Sequence, residues 1–373
     1  MLRIALKFLF YDKAKSLGAL LGIVISTFLI GQQTGIFLYL TDSMAALASN
    51  ARADLWVVDN TTTDINSLAL LDARKARELG SVPGVARVLP MVISGGSARF
   101  RTGKNAGVQV IGSEAPTFAV GPWNVEAGSP AALLQDGAVS ADRFDQKALG
   151  GATLGTEFEI DGKRAFIATQ TAGARGFGAI YLFTTLERAR YYGNVPRTKV
   201  SALLLQLQPG ADPTRVRDQI NASINGVRAW LPEELGRSTK KTLLGQSGIG
   251  VSTGTLIAFA LVAGFFIIGL TLYSSAIDRL RDYGTLKAIG ADNSFIRRLI
   301  LLQALLLAVA GFALGYAAIE GFRFGIGRSG AIFSFNWPLR FVFAVITLLI
   351  SLTGAVFAIR RITQVEPASV FRG

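Results

Sequence analysis

Three groups of residues in this chain have types and spacings that could do chemistry. Glu157, Glu159 and Asp161 alternate, so a strand and its turn would carry all three carboxylates on one face, where they could hold a divalent cation. Gly325-Ile326-Gly327-Arg328-Ser329-Gly330 has the GxGxxG spacing that cradles a pyrophosphate, and Gly103-Lys104-Asn105 has the Gly-Lys pair of a phosphate loop. The third group, Ser275 to Leu299, packs Asp278, Arg279, Arg281, Asp282, Lys287, Arg297 and Arg298 among small residues. By itself it reads as well as a polar connector as it does as a functional surface.

Context removes most of the chemistry. Solvated charge is the favoured reading of the Glu157-Glu159-Asp161 face, over a metal site. The GxGxxG run lies between two long apolar stretches, whereas a dinucleotide site needs it between a strand and a helix, so it is discarded. Gly103-Lys104 lacks the upstream glycine and the Ser/Thr of a phosphate loop, and no other GxxxxGK[ST] exists in the sequence; any ATP used must be bound by another subunit. The chain has no Cys and no His. Disulfides and thiolate metal sites are excluded, and the commonest general base and metal ligand is missing. Carboxylate chemistry stays open, but no catalytic, cofactor-binding or metal-ligating residue is assigned. The net charge of +13 is spread over segments flanking apolar runs, not gathered in a nucleic-acid stripe, so no nucleic acid is expected as a partner.

The elements that would position these residues are membrane spans. Half of the residues are hydrophobic, the mean hydropathy is +0.42 and only 17% are charged. Leu17 to Leu40 carries no charge and is long enough to cross a bilayer core of about 30 Å. Val251–Ser274, Leu299–Ile319 and Phe341–Ile359 are three further runs, each closed by polar or charged residues. The expected layout is four transmembrane α-helices in a 1+3 arrangement. TM1 covers 17–40, TM2 251–274, TM3 299–319 and TM4 341–359, joined by links at 275–298 and 320–340. A large α+β extracytoplasmic domain, 41–250, lies between the first two helices.

Twelve basic residues lie in short segments on one side: Arg3, Lys7, Lys13 and Lys15; Arg279, Arg281, Lys287, Arg297 and Arg298; Arg360, Arg361 and Arg372. The opposite short loop has Arg323, Arg328 and Arg340. The positive-inside rule then puts both termini, the 275–298 link and the tail 360–373 in the cytoplasm. Ala46-Leu47-Ala48 resembles a cleavage site, but the preceding apolar run is too long for a signal peptide, so an uncleaved anchor is expected. Residues 1–16 can form an amphipathic helix on the cytoplasmic surface, with Leu2, Leu6, Leu9 and Phe10 on one face, or simply a basic flank.

Within 41–250, Asp54–Val58, Val85–Ile93, Gly107–Ile111, Thr156–Ile160 and Val200–Leu207 read as strands, and Asp72–Leu79 as helix. Asp161-Gly162 is a hairpin turn before Lys163–Thr169. Asp212 and Pro213 cap a helix that runs to about Asn225. The flexible stretch Gly173–Gly178 is a partner contact or an ordinary loop. Gln32, Gln33 and Gln303 favour helix packing over a substrate path. Gly311-Phe-Ala-Leu-Gly315 is a weak dimer signal, since GxxxG is common in spans.

Residues 278–291 now become informative. Asp278-Arg279-x-Arg281-Asp282-Tyr283-Gly284-Thr285-Leu286-Lys287-Ala288-Ile289-Gly290-Ala291 resembles the E-R-x-R-E-[IY]-G-x-[LR]-[KR]-A-[IL]-G-A pattern of permease subunits in the FtsX/MacB-like ABC transporter superfamily. Asp278 and Asp282 stand where the family has Glu, keeping the charge. Pro367-Ala368-Ser369-Val370-Phe371-Arg372 resembles the family's ending. Asp54–Val58 and Val82-Pro83-Gly84-Val85 are similar to the outer domain of its DevC-like branch. The resemblance implies a multi-pass protein of the bacterial inner membrane whose 275–298 link docks on a cytoplasmic ABC ATPase. That partner binds ATP and Mg, and this chain holds no cofactor. Asp278, Arg279, Arg281, Asp282, Leu286, Lys287 and Ala291 would lie at the contact, with Gly284 and Gly290 allowing close approach. It further implies a second permease copy and, for an exporter, a periplasmic adaptor with an outer-membrane channel. The alternative within the superfamily is an FtsX-like regulator that moves a periplasmic partner, such as a cell-wall hydrolase, without transport. A membrane-anchored sensor or enzyme without an ATPase is a third and weaker reading.

Overall fold

The structure is a computed structural model that describes residues 1–11, 13–246, 248–278, 280–331, 333 and 335–363. The chain forms two compact units: Met1–Leu38 with Val251–Gly327 and Ile332–Gly373, and Tyr39–Gly250 with Arg328–Ala331.

Eleven α-helices occur among the described residues. In chain order they are α1 (Leu2–Tyr11), α2 (Lys13–Met44), α3 (Ala46–Asn50), α4 (Lys75–Gly80), α5 (Leu186–Gly193), α6 (Pro213–Ser223), α7 (Pro232–Gln246), α8 (Ile249–Asp278), α9 (Leu280–Ala288), α10 (Asn293–Gly327) and α11 (Trp337–Thr363). Three of them carry stretches long and apolar enough to cross a membrane: Ser16–Met44, Ile249–Ile267 and Asn293–Gly327. In α11 the apolar stretch is shorter, Trp337–Thr353.

Small residues set how closely the apolar helices pack. A Cβ at Gly311 would lie 2.4 Å from Ile23 Cγ2, and one at Gly315 would lie 2.7 Å from Thr27 Cβ. Glycine at these positions lets α10 approach α2. The GxxxG pair is thus spent inside the chain. On α8, a Cβ at Gly264 would lie 3.3 Å from Ile30 Cδ1 and Ser26 Cβ of α2, tighter than ordinary contact. Polar groups on α2 are turned back onto their own helix, Ser26 Oγ donating to Gly22 O and Thr34 Oγ1 to Ile30 O, both at 2.8 Å.

The second unit is built on a ten-stranded sheet. Its strands are β1 (Leu55–Asp59), β3 (Val85–Phe100), β4 (Asn105–Ser113), β5 (Val125–Ala127), β6 (Ala138–Asp142), β7 (Glu157–Ile160), β8 (Lys163–Thr171), β9 (Ile180–Thr185), β11 (Ala202–Leu207) and β12 (Val227–Trp230). The short β2 (Leu71–Asp72) and β10 (Lys199–Val200) pair separately. The main path runs β12-β1-β11-β3-β7-β8-β5, with β4 joining β3 and β9, and β6 joining β8. The pairs β4/β9 and β6/β8 are parallel; the rest are antiparallel. β3 belongs to two lobes, pairing with β11 through its first half and with β4 and β7 through its second.

Period-two alternation divides the first lobe's side chains between two cores. Trp56 and Val58 enter one with Leu204, Tyr181 and Phe183; Leu55 and Val57 enter the other with Leu203, Leu205, Val216 and Ile220. Both faces are covered, which explains the continuous apolar runs at 55–58 and 202–205. Several local expectations hold. Asp161 and Gly162 take the positive φ values of a two-residue hairpin (48° and 75°) between β7 and β8. Asp212 caps α6, its Oδ1 accepting from Thr214 N at 2.9 Å.

β3 is longer than expected because Gly95-Gly96 reads as a break in sequence and is not one in space. A Cβ at Gly96 would lie 2.9 Å from Ile160 Cγ2 and 3.0 Å from Asp161 Oδ2. The glycine admits the β7 turn, whose Asp161 accepts from Ser97 N.

Candidate coupling site

The charged segment 275–298 is almost wholly helical. α8 continues to Asp278, α9 covers Leu280–Ala288, and α10 begins at Asn293. Two caps make the turn between α9 and α10. Gly290 takes φ 104° and donates to Lys287 O, and Ala291 N donates to Leu286 O at 2.9 Å, closing α9 with a left-handed residue that favours glycine. Asp292 then accepts from Phe295 N at 2.8 Å and starts α10.

Helical phase sorts the candidate contact residues. Arg281, Asp282, Thr285, Ala288 and Ile289 are exposed, and Gly290 beyond them is also exposed. Gly284 is buried, while Leu286, Lys287 and Ala291 are half-buried. Asp278 is exposed on the last turn of α8. Arg279 lies outside the described residues, as does the Pro367–Arg372 ending. The structure therefore gathers Arg281 and Asp282 on one surface and turns Leu286 and Lys287 partly away from it.

Sequence reasoning left Tyr283, Thr285 and Ile289 out of this set. Ile289 is a large apolar side chain 76% exposed. Tyr283 is the reverse, only 2% exposed in the middle of a charged run. Its ring stacks on Phe8 of α1 at 5.9 Å and 18°, and its hydroxyl donates to Gln303 Oε1 of α10 at 3.1 Å. Ala5, Ile296, Leu299, Ile300 and Ile359 complete that buried cluster. A helical wheel carried the signal, since Tyr283 falls opposite Arg281, Thr285 and Ala288.

The other candidates settle into structural roles. Glu157 pairs with Arg164 and Arg101, which hold its carboxyl below the usual range, the Arg164 hydrogen bond first. Among the described residues no cluster of three or more His, Cys, Asp or Glu could hold a metal. Lys104 Nζ donates to Lys147 O at 2.7 Å. Gly325 and Gly327 end α10, and neither precedes a helix as a dinucleotide loop would. In the 173–178 stretch, Gly176 lies against the Tyr181 ring and Arg175 pairs with Asp145.

A family model described as the MacB-like periplasmic core domain matches residues 16–223, and one described as the FtsX-like permease C-terminal matches 254–367. The first alone covers more than half of the chain. The chain belongs to the MacB-like, FtsX-like family of ABC transporter permeases. An uncharacterised ABC transporter permease of Mycobacterium tuberculosis is 28% identical over 128 residues, 34% of this chain and 35% of the relative. The macrolide export ATP-binding/permease protein MacB of Burkholderia cenocepacia is 21% identical over 241 residues, 61% of this chain and 35% of the relative. The matched stretches thus span about a third of these relatives' length. Among solved structures, the periplasmic region of MacB from Actinobacillus actinomycetemcomitans aligns at 10% identity with a TM-score of 0.39, covering 51% of this chain and 94% of that one. The extracellular domain of the noncanonic ABC-type transporter YknZ from Gram-positive bacteria aligns at 12% identity with a TM-score of 0.33, covering 48% and 98%. By the two family models it matches, this permease is a membrane protein with a MacB-like periplasmic domain.

Proposed function

We propose that this chain is the transmembrane subunit of an ABC-type exporter of the DevC-like branch. A separate cytoplasmic ATPase binds ATP and Mg, docks on the α9 surface and drives movement of the periplasmic domain. The observation that carries the reading is the outward face of α9. Arg281, Asp282 and Thr285 are exposed along α9, the exposed Ile289 follows its last turn, and a buried tyrosine braces the helix from behind. An exposed apolar side chain at one end of a charged helix face has the make-up of a protein contact. Asp278, exposed on the last turn of α8, adds a charge beside this face, while Gly284 and Gly290 allow close packing and the turn.

In this reading the four apolar helices span the inner membrane with both termini cytoplasmic, and two permease copies share the assembly. A periplasmic adaptor and an outer-membrane channel complete the export route. The Burkholderia relative, named for macrolide export, favours export over the FtsX-like alternative, in which the same motor moves a periplasmic partner such as a cell-wall hydrolase.

The test is purification of the tagged full-length permease from its native membranes, with mass spectrometry of retained chains and an ATP-hydrolysis assay. An ABC ATPase is retained by the wild type, and Arg281→Glu with Ile289→Glu lowers its recovery about tenfold. Undiminished recovery from that variant, or no ATPase with the wild type, overturns the reading.

A further inference from the structure

Residues 1–16 read from sequence as an interfacial helix with Leu2, Leu6, Leu9 and Phe10 on one face, or as a basic flank. Helix α1 divides its apolar residues between exposed and buried positions. Leu2 and Phe10 are 52% and 69% exposed, whereas Ala5 is fully buried and Phe8 stacks on Tyr283. Ala5, Phe8 and Leu9 follow the i, i+3, i+4 spacing of one helical face, and that face is committed to protein: Ala5 and Phe8 enter the cluster with Tyr283, Ile296 and Leu299, and Leu9 packs near Ala19 and Ile23. Helix α1 therefore has a protein-facing side as well as an exposed apolar edge.

Tyr283 joins three helices. Its ring holds α1 and its backbone belongs to α9. Its hydroxyl reaches Gln303, ten residues into α10 and so about 15 Å along that helix. Gln303 is 7% exposed, and its Nε2 has no hydrogen-bond partner. The Tyr283 hydroxyl is thus the described partner of an amide otherwise stranded among Ala304, Leu307 and Ile300. A buried amide in apolar surroundings holds its one bond firmly, because neither water nor lipid replaces it.

We propose that α1 and α9 form one docking element for the ATPase, and that Tyr283 is the positioning residue through which movement of α9 passes into α10. The proposal rests on the function argued above. Phe8 fixes the tilt of α9, and the Tyr283–Gln303 bond makes α10 follow it.

The test uses the full-length permease with its co-purified ATPase, in lipid nanodiscs. Tyr283→Phe keeps the ring, the stack and the cluster and removes only the hydroxyl. The expected result is wild-type recovery of the ATPase, an unchanged KM for ATP, and a kcat lowered about fivefold, the size of effect expected for losing one buried hydrogen bond. Gln303→Leu does the same. The double variant, with no stranded polar group left, stays slow. A kcat within about twofold of wild type for Tyr283→Phe overturns the coupling role. So does recovery of kcat in the double variant, which would mean that the pair serves stability alone. Phe8→Ala lowers ATPase recovery; unchanged recovery and rate remove α1 from the docking element. A wild-type permease that retains no ATPase defeats the parent reading, whereas an active complex indifferent to Tyr283→Phe defeats only this inference.

Discussion

The guanidinium of Arg175 lies 2.7 Å from a carboxylate oxygen of Asp145, a side chain only 2% exposed. The same guanidinium donates to the carbonyl of Ser329 at 3.4 Å. One arginine in the stretch read as a flexible loop therefore holds a buried acid and the segment that follows α10.

Burial pushes the Asp145 carboxyl up to about 6, helped by the neighbouring Asp142 and opposed by Arg175. Its ordinary value is 3.8, so the folded chain binds this proton more tightly than the unfolded one. The stability this group contributes is complete below about pH 4 and is lost as the pH rises through about 6. Asp145→Asn has no such titration. Wild type should therefore lose stability relative to Asp145→Asn between pH 4 and 7, by up to about 3 kcal/mol. Thermal unfolding of both full-length proteins in detergent across that range measures it, and a constant difference between them counts against the assignment.

Gly330 sits at φ 85°, and a Cβ there would lie 2.6 Å from Phe144 side-chain atoms and 2.7 Å from Arg175 Nη1. Gly330→Ala combines a left-handed backbone with a clash and should cost about 1–3 kcal/mol. Gly327→Ala, with nothing within 4 Å of the added carbon at the end of α10, is the control and should be neutral within about 0.5 kcal/mol. Equal melting temperatures for the two variants would refute the close seating of Gly330.

Gly311 packs on Ile23 within one chain, so its enlargement should damage the fold rather than only an association between copies. Gly311→Ala is expected to cost about 1–3 kcal/mol by overpacking. Ile23→Ala in the same chain opens the space and should return part of that loss. Detergent melting curves read the cycle, and size-exclusion profiles show whether a dimer is affected. Strictly additive losses would show that the two residues do not meet.

Local physics made several elements legible from residues alone. The run 17–40 could only be buried or in lipid, because it is predominantly apolar and carries no charge over 24 residues. Asp212-Pro213 could open a helix, and Asp161-Gly162 could turn a hairpin, because cap and turn chemistry depend on neighbours within a few residues. Gly95-Gly96 misled for the same reason: its meaning depends on Ile160 and Asp161, more than sixty residues away, which approach only after the sheet forms.

The motif at 278–291 shows the same division. Its residue types determined that charges and glycines would lie between two apolar helices, and they carried the likeness to the permease family. Whether each residue met a partner or braced the helix was decided by tertiary structure. Tyr283 points inward and Ile289 outward because Phe8, far back in sequence, and Gln303, on the next helix, occupy one side of α9 and leave the other open. Helical period fixes only which residues share a face; the neighbouring helices choose the face that is covered.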